Sequence, residues 1–174
     1  RLLMSGGQVH GPVPEAWVPR LPERGAATVL RNHEHGLLEA QARGWFNPQA
    51  RKALDRTRAL ISDDTLMYFR TLPRTMEEAG ALFVHGCPPG LVSKYLYELA
   101  VPELRETFAL YANPLCFCGH THELEQISLR GGDITTQAFS RANTRVLRSA
   151  GPQDRPILFA DRNCRSNASR LSMR

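Results

Sequence analysis

The chain has 174 residues, of which 42% are hydrophobic, so it can bury one substantial core, and it contains no apolar stretch long enough to cross a membrane. Its net charge of +5 comes almost entirely from arginine, because Lys52 and Lys94 are its lysines. These arginines are spread out, which argues against a nucleic-acid-binding groove but favours phosphate-bearing ligands. We expect a cytoplasmic protein with four reduced cysteines.

The predicted elements alternate between helices and strands, which indicates an α/β fold. In chain order they are a helix over 15–21 ended by Pro22, a strand over 28–30, helices over 48–60 and, capped by Ser62, over 63–72, a strand over 82–84, helical segments over 94–99 and 102–111, a strand over 115–118, a hairpin over 124–129 and 134–139, and a strand over 157–160. Beyond residue 161 apolar periodicity is lost. We therefore predict one domain over 1–161 and a disordered tail over 162–174.

Five of the six histidines lie in polar turns that follow short apolar runs. His33 and His35 follow the first such run, His85 follows the second, and His120 and His122 follow the third. Imidazole is the commonest metal-binding side chain, and functional loops tend to follow buried strands. The pattern therefore predicts a metal site built from these turns.

Three of these turns resemble motifs of the calcineurin-like metallophosphoesterases, namely GNH[DE], a single His after a strand, and GH-x-H. In this chain they read Arg31-Asn32-His33-Glu34, Val84-His85-Gly86 and Gly119-His120-Thr121-His122. The resemblance covers roughly residues 3–151 and implies a four-layer α/β/β/α sandwich, with the hairpin and the final strand on its second sheet. It also implies hydrolysis of phosphomonoesters or phosphodiesters. The expected partner is a phosphate-ester substrate, and nucleic acid is expected only as such a substrate.

The resemblance further implies a ligand set for divalent metal ions. Asn32, through its amide oxygen, His85 and His120 would bind one ion, and His122 would bind a second. Members of the family use Mn, Fe, Zn or Ni, two ions at a time, to activate a hydroxide for attack on phosphorus.

His33 would be the catalytic histidine by the same resemblance, placed to protonate or stabilise the leaving-group oxygen. Glu34 would orient its ring through the other nitrogen, as carboxylates often do beside imidazoles. The alternative is that Asn32, His33 and Glu34 only form a polar turn and the start of a helix.

Two of the family's motifs are missing or altered. The D-x-H motif does not occur in this chain, which opens at Arg1, so we expect the domain to be incomplete at its N-terminus. The stretch over 2–15 resembles the family's second motif with one residue lost, and Gly7 stands where the metal-bridging Asp would be. The second ion would keep one of its usual four protein ligands. The family binds two ions, but for this chain we expect one or none. The alternative to an enzyme is a non-catalytic domain that binds phosphate or a partner.

Two further features allow more than one interpretation. Arg31 replaces the Gly of GNH[DE], and we expect it to distort the turn in preference to contacting substrate phosphate. Cys116 and Cys118 form a C-x-C-x-H-x-H string with the two histidines that follow. Strand alternation places both thiols on one face of an apolar run, which favours small buried hydrophobes over zinc ligands.

Overall fold

The computed structural model describes residues 3–4, 18, 20–23, 25–122, 125–138 and 155–159. The elements of these residues, in chain order, are β1 (Leu3–Met4), α1 (Arg20–Glu23), β2 (Ala27–Thr28), α2 (Asn32–Leu38), α3 (Ala40–Arg43), α4 (Pro48–Leu60), α5 (Asp63–Thr71), β3 (Thr75–Glu78), β4 (Ala81–Val84), a 3₁₀ turn (Leu96–Glu98), α6 (Val101–Ala109), β5 (Leu115–Cys118), β6 (Glu125–Arg130), β7 (Asp133–Ala138) and β8 (Arg155–Phe159). The predicted α/β class is confirmed.

The two capped helices begin where their sequences predict. Asn47 precedes α4 and accepts a hydrogen bond from the amide of Ala50 at 2.8 Å, and Pro48 occupies the first turn, where a missing N–H costs nothing. The hydroxyl of Ser62 accepts from the amide of Thr65 at 3.2 Å at the start of α5. The predicted helix over 48–60 is confirmed, and the helix predicted over 63–72 ends one residue early.

Six strands form one sheet in the order β3-β4-β5-β8-β6-β7. The strands β4, β5 and β8 run parallel to one another, and Leu82 of β4 pairs with Cys116 of β5. The predicted hairpin is confirmed as the antiparallel pair β6 and β7, and it lies in the same sheet as β4 and β5. A separate two-stranded parallel pair joins β1 to β2. The carboxyl ends of β4 and β5 therefore open at one edge of the larger sheet.

The main apolar core packs against the central strands of this sheet. Its buried members come from β4, β5, β6, α6 and the loops between them, and they are Leu82, Val84, Cys87, Leu96, Leu104, Phe108, Tyr111, Cys116, Cys118 and Ile127. A second cluster packs α5 against Val18 and Ile61. No helix in the described part of the chain combines the length and the hydrophobicity that crossing a bilayer requires.

Several predicted elements differ from the observed ones. Pro22 lies inside α1 instead of ending a helix, because the first turn of a helix tolerates a residue without an N–H. The helical segment predicted over 94–99 shortens to a single 3₁₀ turn, and the strand over 28–30 shortens to β2. The strand β3 was not predicted, since its sequence shows no apolar alternation. Gly7 and the tail over 162–174 lie outside the described residues.

Candidate metal centre

His85 and His120 meet because the strands that carry them are parallel neighbours. His85 directly follows β4, and His120 follows β5 after Gly119, whose amide donates to the carbonyl oxygen of His85 at 2.9 Å. The two imidazole centroids lie 4.9 Å apart, with ring planes at 55°. Both residues are buried. The two turns thus lie together at one edge of the sheet, and their predicted role in metal binding stays a prediction.

Asn32 joins the pair from a different element. It is the first residue of α2, and its side-chain Oδ1 lies 2.9 Å from Nε2 of His85. The carboxyl ends of two strands and the start of a helix thus bring an amide oxygen and two imidazoles to one buried place. Asn32 itself is buried, so these polar groups face one another and not bulk water.

This donor set fits one divalent ion. Catalytic zinc sites typically use three protein ligands and leave a further position open, and nitrogen and oxygen donors of this kind suit first-row metals. Within the described residues no group of three or more drawn from His, Cys, Asp and Glu could hold an ion, so an ion at this place would need the amide oxygen of Asn32 as well. His122 is exposed and belongs to no such group. Asn32, His85 and His120 are therefore the candidate ligands that the described part of the chain brings together.

The turn after β5 holds both of its histidines in the left-handed region of backbone space. His120 has a φ of 73° and His122 a φ of 59°, values that cost a residue with a Cβ about 1–2 kcal/mol each. The amide of Thr121 donates to the carbonyl oxygen of Gly119 at 2.9 Å and closes the turn. Strained backbone that the surrounding structure maintains is a common property of functional turns.

Tyr95 covers the ring of His120, and sequence reasoning missed it. The two ring centroids lie 3.7 Å apart with planes inclined by only 10°, which is a close stack. Tyr95 directly precedes the 3₁₀ turn and lies twenty-five positions from His120 along the chain. No motif or periodicity in the sequence marks it.

His33 lies beside the three candidate ligands and faces a cavity. Its half-buried ring packs against Phe46, with centroids 5.1 Å apart. The cavity has a volume of about 180 Å³ and is lined by Asn32, His33, Trp45, Phe46, Asn47, Ala50, Ser93, Tyr95 and His120. Asn47 and Ala50 belong to the start of α4, so the partial positive charge of that helix end borders the cavity as well.

The turn before α2 is not distorted by Arg31, and this expectation was wrong. Arg31 has a φ of −120° and a ψ of 168°, which is extended backbone that any residue adopts. Its buried guanidinium donates to Oε1 of the buried Glu34 at 2.6 Å. Asn32, His33 and Glu34 do begin a helix, as the alternative interpretation held, and the same helix start carries Asn32 to the site. The orientation of His33 by Glu34 stays a prediction.

The two cysteines of β5 are buried, as alternation predicted. Both Cys116 and Cys118 are fully buried, and their sulfur atoms lie 3.8 Å apart on one face of the strand. Burial raises the pKa of the Cys118 thiol well above its ordinary value of 9.0 and so disfavours the thiolate that a metal would need. The interpretation as small core hydrophobes is confirmed.

Comparison with known proteins supports the same fold. No family model matches the chain. A crystal structure of a metallophosphoesterase from Sphaerobacter thermophilus matches with a TM-score of 0.63 and 24% identity, covering 91% of this chain and 62% of that one. The chain has a metallophosphoesterase-type fold. An uncharacterized protein from Methanocaldococcus jannaschii is 25% identical over 117 residues, which are 65% of this chain and 46% of its own length. The chain thus spans about half of that curated relative and under two thirds of the solved structure.

Proposed function

We propose that this chain is a metal-dependent phosphoesterase that hydrolyses phosphomonoesters or phosphodiesters. The observation that carries the proposal is the convergence of Asn32, His85 and His120 beside a cavity that also reaches His33. An amide oxygen and two imidazole nitrogens would hold one divalent ion, Mn, Fe, Zn or Ni, and His122 would contribute to a second ion if one binds. When bound, the ion neutralises phosphate oxygens and supplies an activated hydroxide.

The protein's own side chains would carry out the remaining steps of hydrolysis. His33 lines the same cavity as Asn32 and His120, so an ester oxygen leaving toward it can receive a proton from its imidazole. Glu34 follows His33 in α2, is buried and accepts a hydrogen bond from Arg31, and its role in orienting His33 is part of the proposal. The packing of His33 on Phe46 restricts the ring further.

The proposal extends to architecture, location and partners. We propose that residues 1–161 form one α/β/β/α domain, in which the β1–β2 pair belongs to the first sheet and the six-stranded sheet is the second. The buried free thiols Cys87, Cys116 and Cys118 fit a reducing compartment such as the cytoplasm. The partner is a small phosphate ester.

The experiment loads chelator-stripped protein with Mn²⁺, counts the bound ions, and follows hydrolysis of p-nitrophenyl phosphate and of its bis-ester. His120→Ala removes one proposed ligand. The matched control is His35→Gln, because His35 also lies in a motif turn but contacts Arg74 and Glu39 and does not line the cavity.

We expect at least one ion per chain, and turnover that His120→Ala abolishes and His35→Gln retains. A loss of turnover in both variants alike would point to general destabilisation and contradict the assignment of the site. Ion binding without hydrolysis of either ester would contradict the enzymatic function and favour a phosphate-binding domain.

A further inference from the structure

Four aromatic side chains line the cavity or stack on a residue that lines it. Trp45, Phe46 and Tyr95 line the cavity, and Tyr97 stacks on Tyr95 with ring centroids 4.7 Å apart and planes at 22°. We call these four residues the aromatic rim. The rings of His120, Tyr95 and Tyr97 thereby form a continuous stack that leads from the candidate metal ligands outward.

Two residues of the aromatic rim have a larger exposed fraction than is usual for their residue types. Trp45 is 76% exposed and Tyr97 is 69% exposed, although large aromatic rings are usually well covered by their own chain. Single exposed aromatics need no explanation, but Trp45 lines the cavity, and Tyr97 stacks on Tyr95, which also lines it. Exposed aromatic rings beside a polar pocket are a common arrangement for contact with a ligand.

The position of Trp45 is fixed by its neighbour. Phe46 is buried against α2, where Gly36 makes room for it, since a Cβ on Gly36 would lie 2.8 Å from Cε2 of Phe46. Gly44 and Trp45 are held by backbone hydrogen bonds to Gln41 and Ala42 at the end of α3. With Phe46 anchored inward, the indole of Trp45 is left outside at the cavity mouth.

The size of the cavity indicates which part of a ligand it takes. Pockets that enclose a drug-sized ligand have volumes of roughly 300–1,000 Å³, whereas this one has about 180 Å³. It can take a phosphate group near Asn32 and His120 but not a complete nucleotide-sized molecule. The rest of such a ligand must lie across the mouth, where Trp45 presents its ring.

We infer that the aromatic rim selects phosphate esters whose other group is a planar ring, either a nucleobase or an aryl group, and that Trp45 stacks on that ring. This inference rests on the proposed function for the position of the phosphate. Stacking of a base on an aromatic side chain contributes roughly 1–3 kcal/mol, so removal of the indole should weaken binding by roughly 5- to 150-fold.

Calorimetric titration tests the inference with four probes: AMP, phenyl phosphate, ribose 5-phosphate and inorganic phosphate. Every titration uses Mn²⁺-loaded protein that carries His33→Ala, so that the proposed hydrolysis does not consume the ester probes. Trp45→Leu removes the ring, and Trp45→Phe keeps one. Leu110→Ala is the control, because Leu110 is 62% exposed but does not line the cavity.

We expect AMP and phenyl phosphate to bind at least about fivefold more tightly than the two probes without a planar ring. Trp45→Leu should erase that difference, and Trp45→Phe and Leu110→Ala should retain most of it. A preference for AMP alone would assign the rim to a nucleobase, and equal preference for both would assign it to planar rings in general. Equal affinity of the protein with Trp45 intact for all four probes, or a preference that survives Trp45→Leu, would overturn the inference.

Hydrolysis assays separate this inference from the proposed function. If AMP binds through Trp45 but no ester is hydrolysed, the inference about the aromatic rim is supported and the proposed enzymatic function is contradicted. If p-nitrophenyl phosphate and glycerol phosphate are hydrolysed equally well, and Trp45→Leu lowers neither rate, the enzymatic proposal stands and the rim fails.

Discussion

His85 and His120 follow neighbouring parallel strands, yet the chain fixes the two imidazoles by different means. Behind His85 the backbone packs on backbone, because a Cβ on Gly86 would lie 2.3 Å from the carbonyl oxygen of Leu91. His120 instead has a strained, left-handed φ, and the ring of Tyr95 covers it. The position of His85 depends on the absence of a side chain at Gly86. The position of His120 depends on the ring of Tyr95, which a distant loop supplies.

Gly86→Ala should have the largest effect on stability. The added methyl would meet three groups of the 91–94 backbone within 3.0 Å, and backbone yields less readily than a flexible side chain. The mutual hydrogen bonds between Cys87 and Leu91, both 2.9 Å, tie the two segments together, so relief would break them. We expect the free energy of unfolding to fall by about 3 kcal/mol, measured by urea denaturation.

Gly44→Ala is the matched control for that substitution. Gly44 has helical backbone angles and is exposed, and a Cβ there would lie 3.2 Å from one atom, the carbonyl oxygen of Gln41, so that a shift of a few tenths of an ångström relieves the contact. Its stability should change by less than about 1 kcal/mol. Equal losses in the two variants would show that the backbone packing behind His85 is not special.

Tyr95→Leu should have an intermediate effect, on metal affinity more than on folding. Without the stacked ring, the imidazole of His120 has more freedom and the ligand geometry loosens. Groups that orient metal ligands typically change affinity by roughly 10–100-fold, and we expect about tenfold weaker Mn²⁺ binding by calorimetry.

Tyr95→Phe distinguishes the ring from the hydroxyl. The phenyl ring preserves the stack at 3.7 Å, so Mn²⁺ affinity should stay within about threefold of the wild type. If Phe and Leu at this position weaken binding alike, the hydroxyl and not the stacked ring positions His120.

The sequence predicted the parts of the candidate site that directly follow strands. An apolar run that ends in a polar turn specifies both the strand and the edge at which His85 and His120 appear, so local pattern was enough. The ring of Tyr95 and the rim residue Trp45 reach the site from loops and from a short helix end. Such contacts depend on tertiary packing, for which one sequence contains no periodic signal.

The starts of helices were predicted best, because the hydrogen bonds that cap them join residues close in sequence. Asn47 with Pro48, and Ser62 with its acidic first turn, mark helix starts by hydrogen bonds within three residues. The strand β3 was missed because its pairing with β4 satisfies the backbone whatever its side chains are. Arg31 was misjudged because its extended backbone and its partner Glu34 follow from the packing of α2.

His122→Gly should have the smallest effect and separates strain from ligation. His122 shares the left-handed backbone of His120, and glycine adopts that conformation at no steric cost. The relieved strain offsets the lost side-chain contact and the greater freedom of the unfolded chain, so stability should change by less than about 1 kcal/mol. Affinity for the first Mn²⁺ should stay within about twofold, because His122 is exposed while Asn32, His85 and His120 remain together. His120→Gly relieves similar strain but removes a buried, stacked ring as well as a ligand, so it should lower stability more than His122→Gly does and abolish Mn²⁺ affinity. Equal loss of affinity in the two glycine variants would mean that both histidines bind the same ion.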